Sequence, residues 1–185
     1  MHIGILLWVG VHLIPSLTPG IKTRWKSALG KHGYMASFSL LLVLSLVLIV
    51  MGWRTAIPGY LYALPSNVDV FSVLIMWLAS ILFISAKMHT RIKQYIRHPQ
   101  LLGVALWSIA HLLANGDTRS VTLFGSMLVW AIVEMFAINY RDGAWQRPLV
   151  RPIRADFVLI AVGTVFYLGL IFLHPYLSGV PLTAM

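Results

Sequence analysis

The chain contains no cysteine in its 185 residues. That absence excludes disulfides, thiol nucleophiles and thiolate metal ligands, so any metal must be held by nitrogen, oxygen or thioether donors. Acid is nearly as scarce, with five Asp and Glu against 14 Lys and Arg, a net charge of +9. Charged residues of both signs make up only 10% of the chain while 59% is hydrophobic, which leaves too few polar side chains to cover a soluble domain. Low-complexity tracts and breaks in composition are also missing, and the expectation is one domain over residues 1–185.

What is abundant is apolar length. Six runs, at about 1–17, 34–53, 68–87, 99–115, 120–140 and 156–178, approach or reach the 17–25 or so residues that an α-helix needs to cross a hydrocarbon core of about 30 Å. The expected fold is all-α, a polytopic membrane protein with six transmembrane helices in one bundle and the lipid bilayer as its main partner. The first run has no Lys or Arg before it and no small-residue cleavage pattern, so it reads as a retained helix. Turn signals agree with the boundaries: Pro58-Gly59 and Pro65-Ser66-Asn67 follow the second run, and Asn115-Gly116-Asp117 follows the fourth.

Basic residues alternate between the connections. Lys22, Arg24, Lys26 and Lys31 lie in the first, Lys87, Arg91, Lys93 and Arg97 in the third, and Arg141, Arg147, Arg151 and Arg154 in the fifth. The second and fourth hold only Arg54 and Arg119. The positive-inside rule puts the three basic connections in the cytoplasm and both termini outside. Loop topology thus accounts for the net charge, and no basic, aromatic-interleaved patch remains to suggest a nucleic acid partner.

Within the fourth run, RHPQLLGVALWSIAHLLANGD (residues 97–117), one ionisable side chain lies deep in apolar sequence: His111. Such groups are costly in hydrocarbon and usually face a bundle interior at a functional site. Gly103, Trp107, His111 and Asn115 are spaced by four, on one helix face, and Gly4, Trp8, His12 and Ser16 repeat the spacing in the first run. Residues 4–16 and 103–115 align with five identities, GILLWVGVHLIPS over GVALWSIAHLLAN. Counting a rise of about 1.5 Å per residue from opposite faces places His12 and His111 within about one helical turn of the same depth. Zinc would need further ligands at that depth, whereas haem iron is satisfied by two axial histidines, with Trp8 and Trp107 available to pack on the porphyrin. The plainer alternative is that each histidine hydrogen-bonds a neighbouring helix. Glu134 is the one acid well inside a run, a candidate proton carrier, counter-ion or partner for a loop arginine. Asp117 and Asn115 lie at the outer mouth. Arg97 and His98 lie at the cytoplasmic start of the fourth run, and His174 toward the outer end of the sixth, as a supporting group or an alternative ligand.

The long segment 97–117, with GVH at residues 10–12 and HPYLSGV at 174–180, resembles the NnrU family of membrane proteins, which is associated with nitrite and nitric oxide metabolism in denitrifying bacteria. The same motifs are similar to those of 15-cis-zeta-carotene isomerase, a plastid relative that binds haem b. That resemblance implies His12 and His111 as the axial pair. It also directs attention to Ser108, where the isomerase has a cysteine proposed to exchange as an iron ligand. The RHP-x-x-x-G stretch further looks like isoprenylcysteine carboxyl methyltransferase, but Leu101 and the lone Glu134 depart from that pattern.

The expectation is an integral protein of the bacterial inner membrane that binds haem b through His12 and His111. The face around that pair is made of Trp8, Trp107, Ser108 and Asn115, and the implied role is electron or NO handling in denitrification. Alternatives are a haem-dependent cis–trans isomerase of a carotenoid-like polyene, or a metal-free assembly factor for respiratory enzymes.

Overall fold

The computed structural model describes residues 1–65 and 68–179, apart from the side chain of Asp69; Ser66-Asn67 in the second connection and Val180 in the HPYLSGV stretch lie outside the described residues. Six helices form: α1 (His2–Leu17), α2 (Pro19–Thr55), α3 (Val68–Ser85), α4 (Pro99–Ala114), α5 (Thr118–Asp142) and α6 (Arg154–Ser178), with a 3₁₀ turn at Arg91–Gln94. No strand occurs among the described residues, where the one β-type pairing is an isolated bridge between Tyr60 and Asp117. Three helices, α2, α5 and α6, are long and apolar enough to cross a membrane, and the apolar stretches of α1, α3 and α4 are shorter. The 16 residues of α4 span about 24 Å at the α-helical rise.

One expected connection is helical. The segment predicted as a loop between the first two runs forms the start of α2, which bends at Gly30 (φ 70°, ψ 176°). A positive φ of this size is open to glycine without steric penalty, so Gly30 lets a basic helical stretch meet the membrane-length part at an angle. Ile21, Trp25 and Ala28 share one side of that stretch, and Trp25 packs edge-on against Tyr34 beyond the bend at 5.1 Å between ring centroids.

Packing runs in the order α2, α1, α5, α4, α3, α6, with a slighter contact from α6 back to α2. Two glycines let α1 and α4 approach their neighbours to backbone distance. A Cβ on Gly4 would lie 2.8 Å from the Ser45 carbonyl and the Ile49 amide of α2, and one on Gly103 would lie 2.9 Å from the Ala79 carbonyl of α3. Small residues dominate other buried positions too: Ser45, Ser85, Ser108, Ser120 and Ala131 are wholly inaccessible, as expected where helices meet at short range in an apolar setting. Large apolar residues point outward instead, including Leu40, Val43 and Leu46 on α2 and Val129 and Phe136 on α5.

The basic connections collect at one end of the bundle. There the Arg141 guanidinium donates to the Pro15 carbonyl at 2.9 Å, the Arg91 amide donates to the Asp156 carboxylate at 2.9 Å, and Lys93 Nζ donates to the Ala86 carbonyl at 2.8 Å. Burial, with Lys87 nearby, holds the Lys93 ammonium below its ordinary pKa. At the opposite, charge-poor end, Leu61 and Tyr62 amides both donate to the Gly116 carbonyl, and Trp53 Nε1 donates to the Ser178 carbonyl at 3.0 Å.

Candidate functional site

Each tryptophan–histidine turn sets its imidazole in the same way. In α1 the His12 Nδ1 lies 3.0 Å from the Trp8 carbonyl, and in α4 the His111 Nδ1 lies 2.9 Å from the Trp107 carbonyl. A carbonyl only accepts, so Nδ1 must carry the hydrogen in both rings. The neutral ring then keeps its lone pair on Nε2, the tautomer that can ligate a metal. A backbone carbonyl on the far nitrogen is also the usual way a protein orients a ligating histidine.

The surroundings of the two rings differ. His12 sits among Trp8, Trp130 and Phe38, with centroid separations of 4.3, 4.9 and 6.0 Å. His111 contacts Trp107 at 5.1 Å, stacks on Phe124 at 4.2 Å, and lies 6.4 Å from His174 with the two imidazole planes 23° apart. Phe124 and Trp130 are six residues, about 9 Å, apart along α5. α4 stops at Ala114, one turn past His111, and His12 lies five residues from the opposite, basic end of α1.

Other expected residues take structural places. Asn115 caps α4, its Nδ2 donating to the His111 carbonyl at 3.2 Å. Asp117 is the N-cap of α5 and accepts from the Arg119 and Ser120 amides at 3.0 and 3.1 Å. At the basic end, His98 Nε2 lies 2.8 Å from Asn139 Oδ1, and the Arg97 guanidinium donates to the Gly143 carbonyl at 2.8 Å, tying the start of α4 to the end of α5. Arg97 and His98 also line a cavity of about 420 Å³ there. Glu134 is buried and accepts from Ser16 Oγ at 2.9 Å, which joins α5 to α1 below His12.

Several buried donors lack a hydrogen-bond partner among the described residues: Trp8 Nε1, Trp130 Nε1, Ser108 Oγ and Arg119 Nε, the last in an ion pair with Asp117. Unpaired buried donors are unusual in folded proteins and single out a place where a further group can be satisfied. Ser108 lies one turn before His111 and is wholly inaccessible. Trp130 is the contributor that sequence reasoning missed. Its signal is position: it falls in the middle of α5, where a tryptophan is not part of an interfacial belt. Phe124 carries no such signal.

Among the described residues, no group of three or more His, Asp or Glu is placed to hold a metal ion, so a site built wholly of protein ligands has no support. The donor set fits haem better, since that group brings four nitrogens of its own and asks the protein for one or two axial ligands and an apolar surround. No curated protein and no solved structure matches the chain. The model of the NnrU family, described as NnrU protein, matches residues 1–182, and the chain therefore belongs to the NnrU family.

Proposed function

We propose that this NnrU protein is an integral membrane haem b protein with bis-histidine ligation, in which His12 and His111 are the axial ligands, and that it handles electrons or NO in support of nitrite and nitric oxide metabolism. The observation that carries this reading is the matched histidine geometry: two imidazoles in apolar helices, each with Nδ1 bound to the carbonyl four residues earlier and Nε2 left with its lone pair. Ionisable side chains placed inside apolar helices are a functional signal, and a neutral, oriented imidazole is what iron requires.

In this reading all six helices cross the bilayer, with the basic end in the cytoplasm and both termini outside. The helices α1, α3 and α4, 16 to 18 residues long, pack with the three longer helices in one bundle. The location proposed is the bacterial inner membrane. Haem b supplies a reversible one-electron couple and, where an axial position is open, a place for NO to bind. The chain's own residues do the rest. The Trp107 carbonyl fixes the His111 tautomer, Phe124 supplies an aromatic wall, and the surrounding aliphatic side chains exclude water, which with ligand identity sets the potential. Ser108 presents a hydroxyl and not a thiolate, which favours electron or NO handling over an isomerase that depends on cysteine exchange.

The test is an absorption spectrum of the full chain, purified in detergent from haem-supplied cells, in oxidised and dithionite-reduced forms. A Soret band with sharp reduced α and β bands, perturbed by NO, supports the reading. A colourless, monodisperse preparation overturns it and leaves the metal-free assembly role.

A further inference from the structure

We infer that the basic end of the bundle carries a binding site for the phosphate headgroup of an anionic phospholipid, built from Lys22, Lys26 and Lys31 of α2 and from the end of α5. The site is distinct from the histidines and independent of haem. It rests on α2 crossing the membrane. That helix is among the three long and apolar enough to do so, and its basic stretch adjoins the apolar part directly at Gly30. The basic stretch therefore lies at the headgroup layer.

Before Gly30, α2 has two unlike faces. Lys22 and Lys26 are four residues apart on one, with Thr23 and Ser27 beside them, while Ile21, Trp25 and Leu29 recur at the same spacing on another. Trp25 is turned onto Tyr34 and Phe38 beyond the bend, with ring centroids 5.1 and 6.3 Å away. Ile21 and Leu29 stay about half exposed. A helix with lysines on one face, and a tryptophan and exposed aliphatic side chains on the other, is the form that lies in a membrane interface.

The polar face borders a cavity of about 680 Å³, within the size range of small-molecule sites. Lys22, Lys26 and Lys31 line it from α2, and Arg141 and Asp142 line it from α5. The Arg141 guanidinium donates to both oxygens of the Asp142 carboxylate, at 2.7 and 3.0 Å, which neutralises that acid. The three lysines are left, and none of them makes a hydrogen bond or ion pair among the described residues. Three other cations at this end are engaged elsewhere: Lys93 with the Ala86 carbonyl, Arg97 with the Gly143 carbonyl, and Arg147 over the Trp145 ring at 5.4 Å. Like charges gathered around one hollow repel one another, and an anion placed among them relieves the repulsion. Lysine binds phosphate as a point charge. The exposed apolar face of the same helix favours a phosphate that carries acyl chains over one free in solution.

The experiment titrates the full chain in dodecyl maltoside with dioleoyl phosphatidylglycerol or dioleoyl phosphatidylcholine and counts bound lipid by native mass spectrometry. The wild type is compared with Lys26→Gln, with Lys22→Gln/Lys26→Gln/Lys31→Gln, and with Lys87→Gln/Arg151→Gln/Arg154→Gln, which removes the same charge from the same end outside the cavity. The expected result is preference for phosphatidylglycerol in the wild type, weakened about fivefold by Lys26→Gln and about a hundredfold by the cavity triple variant, with the control triple variant close to wild type. Equal binding of the two lipids, or equal losses in the two triple variants, overturns the site. Displacement of the lipid by glycerol 3-phosphate at matched concentration also overturns it, and marks the cavity as a site for a soluble phosphate. Release of the wild type from membranes by alkaline carbonate would instead contradict the membrane reading itself.

Discussion

The two tryptophan–histidine turns are near copies in sequence and differ in what surrounds them. Both bind Nδ1 to the carbonyl four residues back, and both follow a glycine that lets a neighbouring helix approach to backbone distance. Yet Gly4 seats α1 on α2, whereas Gly103 seats α4 on α3. In consequence His12 faces Trp130 and Phe38 toward the basic end, one turn from the Ser16–Glu134 bond, and His111 faces Phe124 and His174 at the charge-poor end. A local word sets the tautomer of a histidine. Which helix it packs on sets its neighbours, and only His111 has a second imidazole among its ring contacts.

The largest expected effects separate the two regions by their aromatic walls. Replacing Trp130 or Phe124 by Ala removes a buried ring and should lower stability by about 3–5 kcal/mol, measured by unfolding in detergent. The comparison lies in the spectrum, since Phe124 contacts His111 and Trp130 contacts His12, and both variants should shift the haem bands. A shift in one variant alone would confine the haem to that region. Gly103→Val and Gly4→Val come next. Each forces a side chain against backbone atoms and should cost about 1–3 kcal/mol, with haem content falling in both variants. Ser16→Ala strands the Glu134 carboxylate and should cost about 1–3 kcal/mol with no change in the haem bands. A spectral change there would assign Glu134 to the site. The smallest effect belongs to Asp117→Ala, which removes the α5 cap for about 1 kcal/mol.

Much of the architecture is legible because apolar run length and alternating basic connections are strong signals. The ends of α3, α4, α5 and α6 fall within two residues of the runs read from sequence, and the basic residues gather at one end as their alternation requires. The start of α2 was hidden because its lysines and arginines read as a loop, although Ile21, Trp25 and Ala28 carry a helical period. The surroundings of the two histidines were not legible. Depth counted along a run assumes that the run fills the membrane, and α4 ends one turn beyond His111. Contacts such as His111 with His174 depend on how α6 is tied to α2 by Trp53 and Arg54, which no single run reveals.

The most direct measurement is haem stoichiometry by pyridine haemochrome on the wild type and His111→Ala, purified side by side. The account predicts close to one haem b per wild-type chain and its loss, or a weakly held remnant, in the variant. Equal haem content with identical spectra in both, or none in a well-folded wild type, would contradict it.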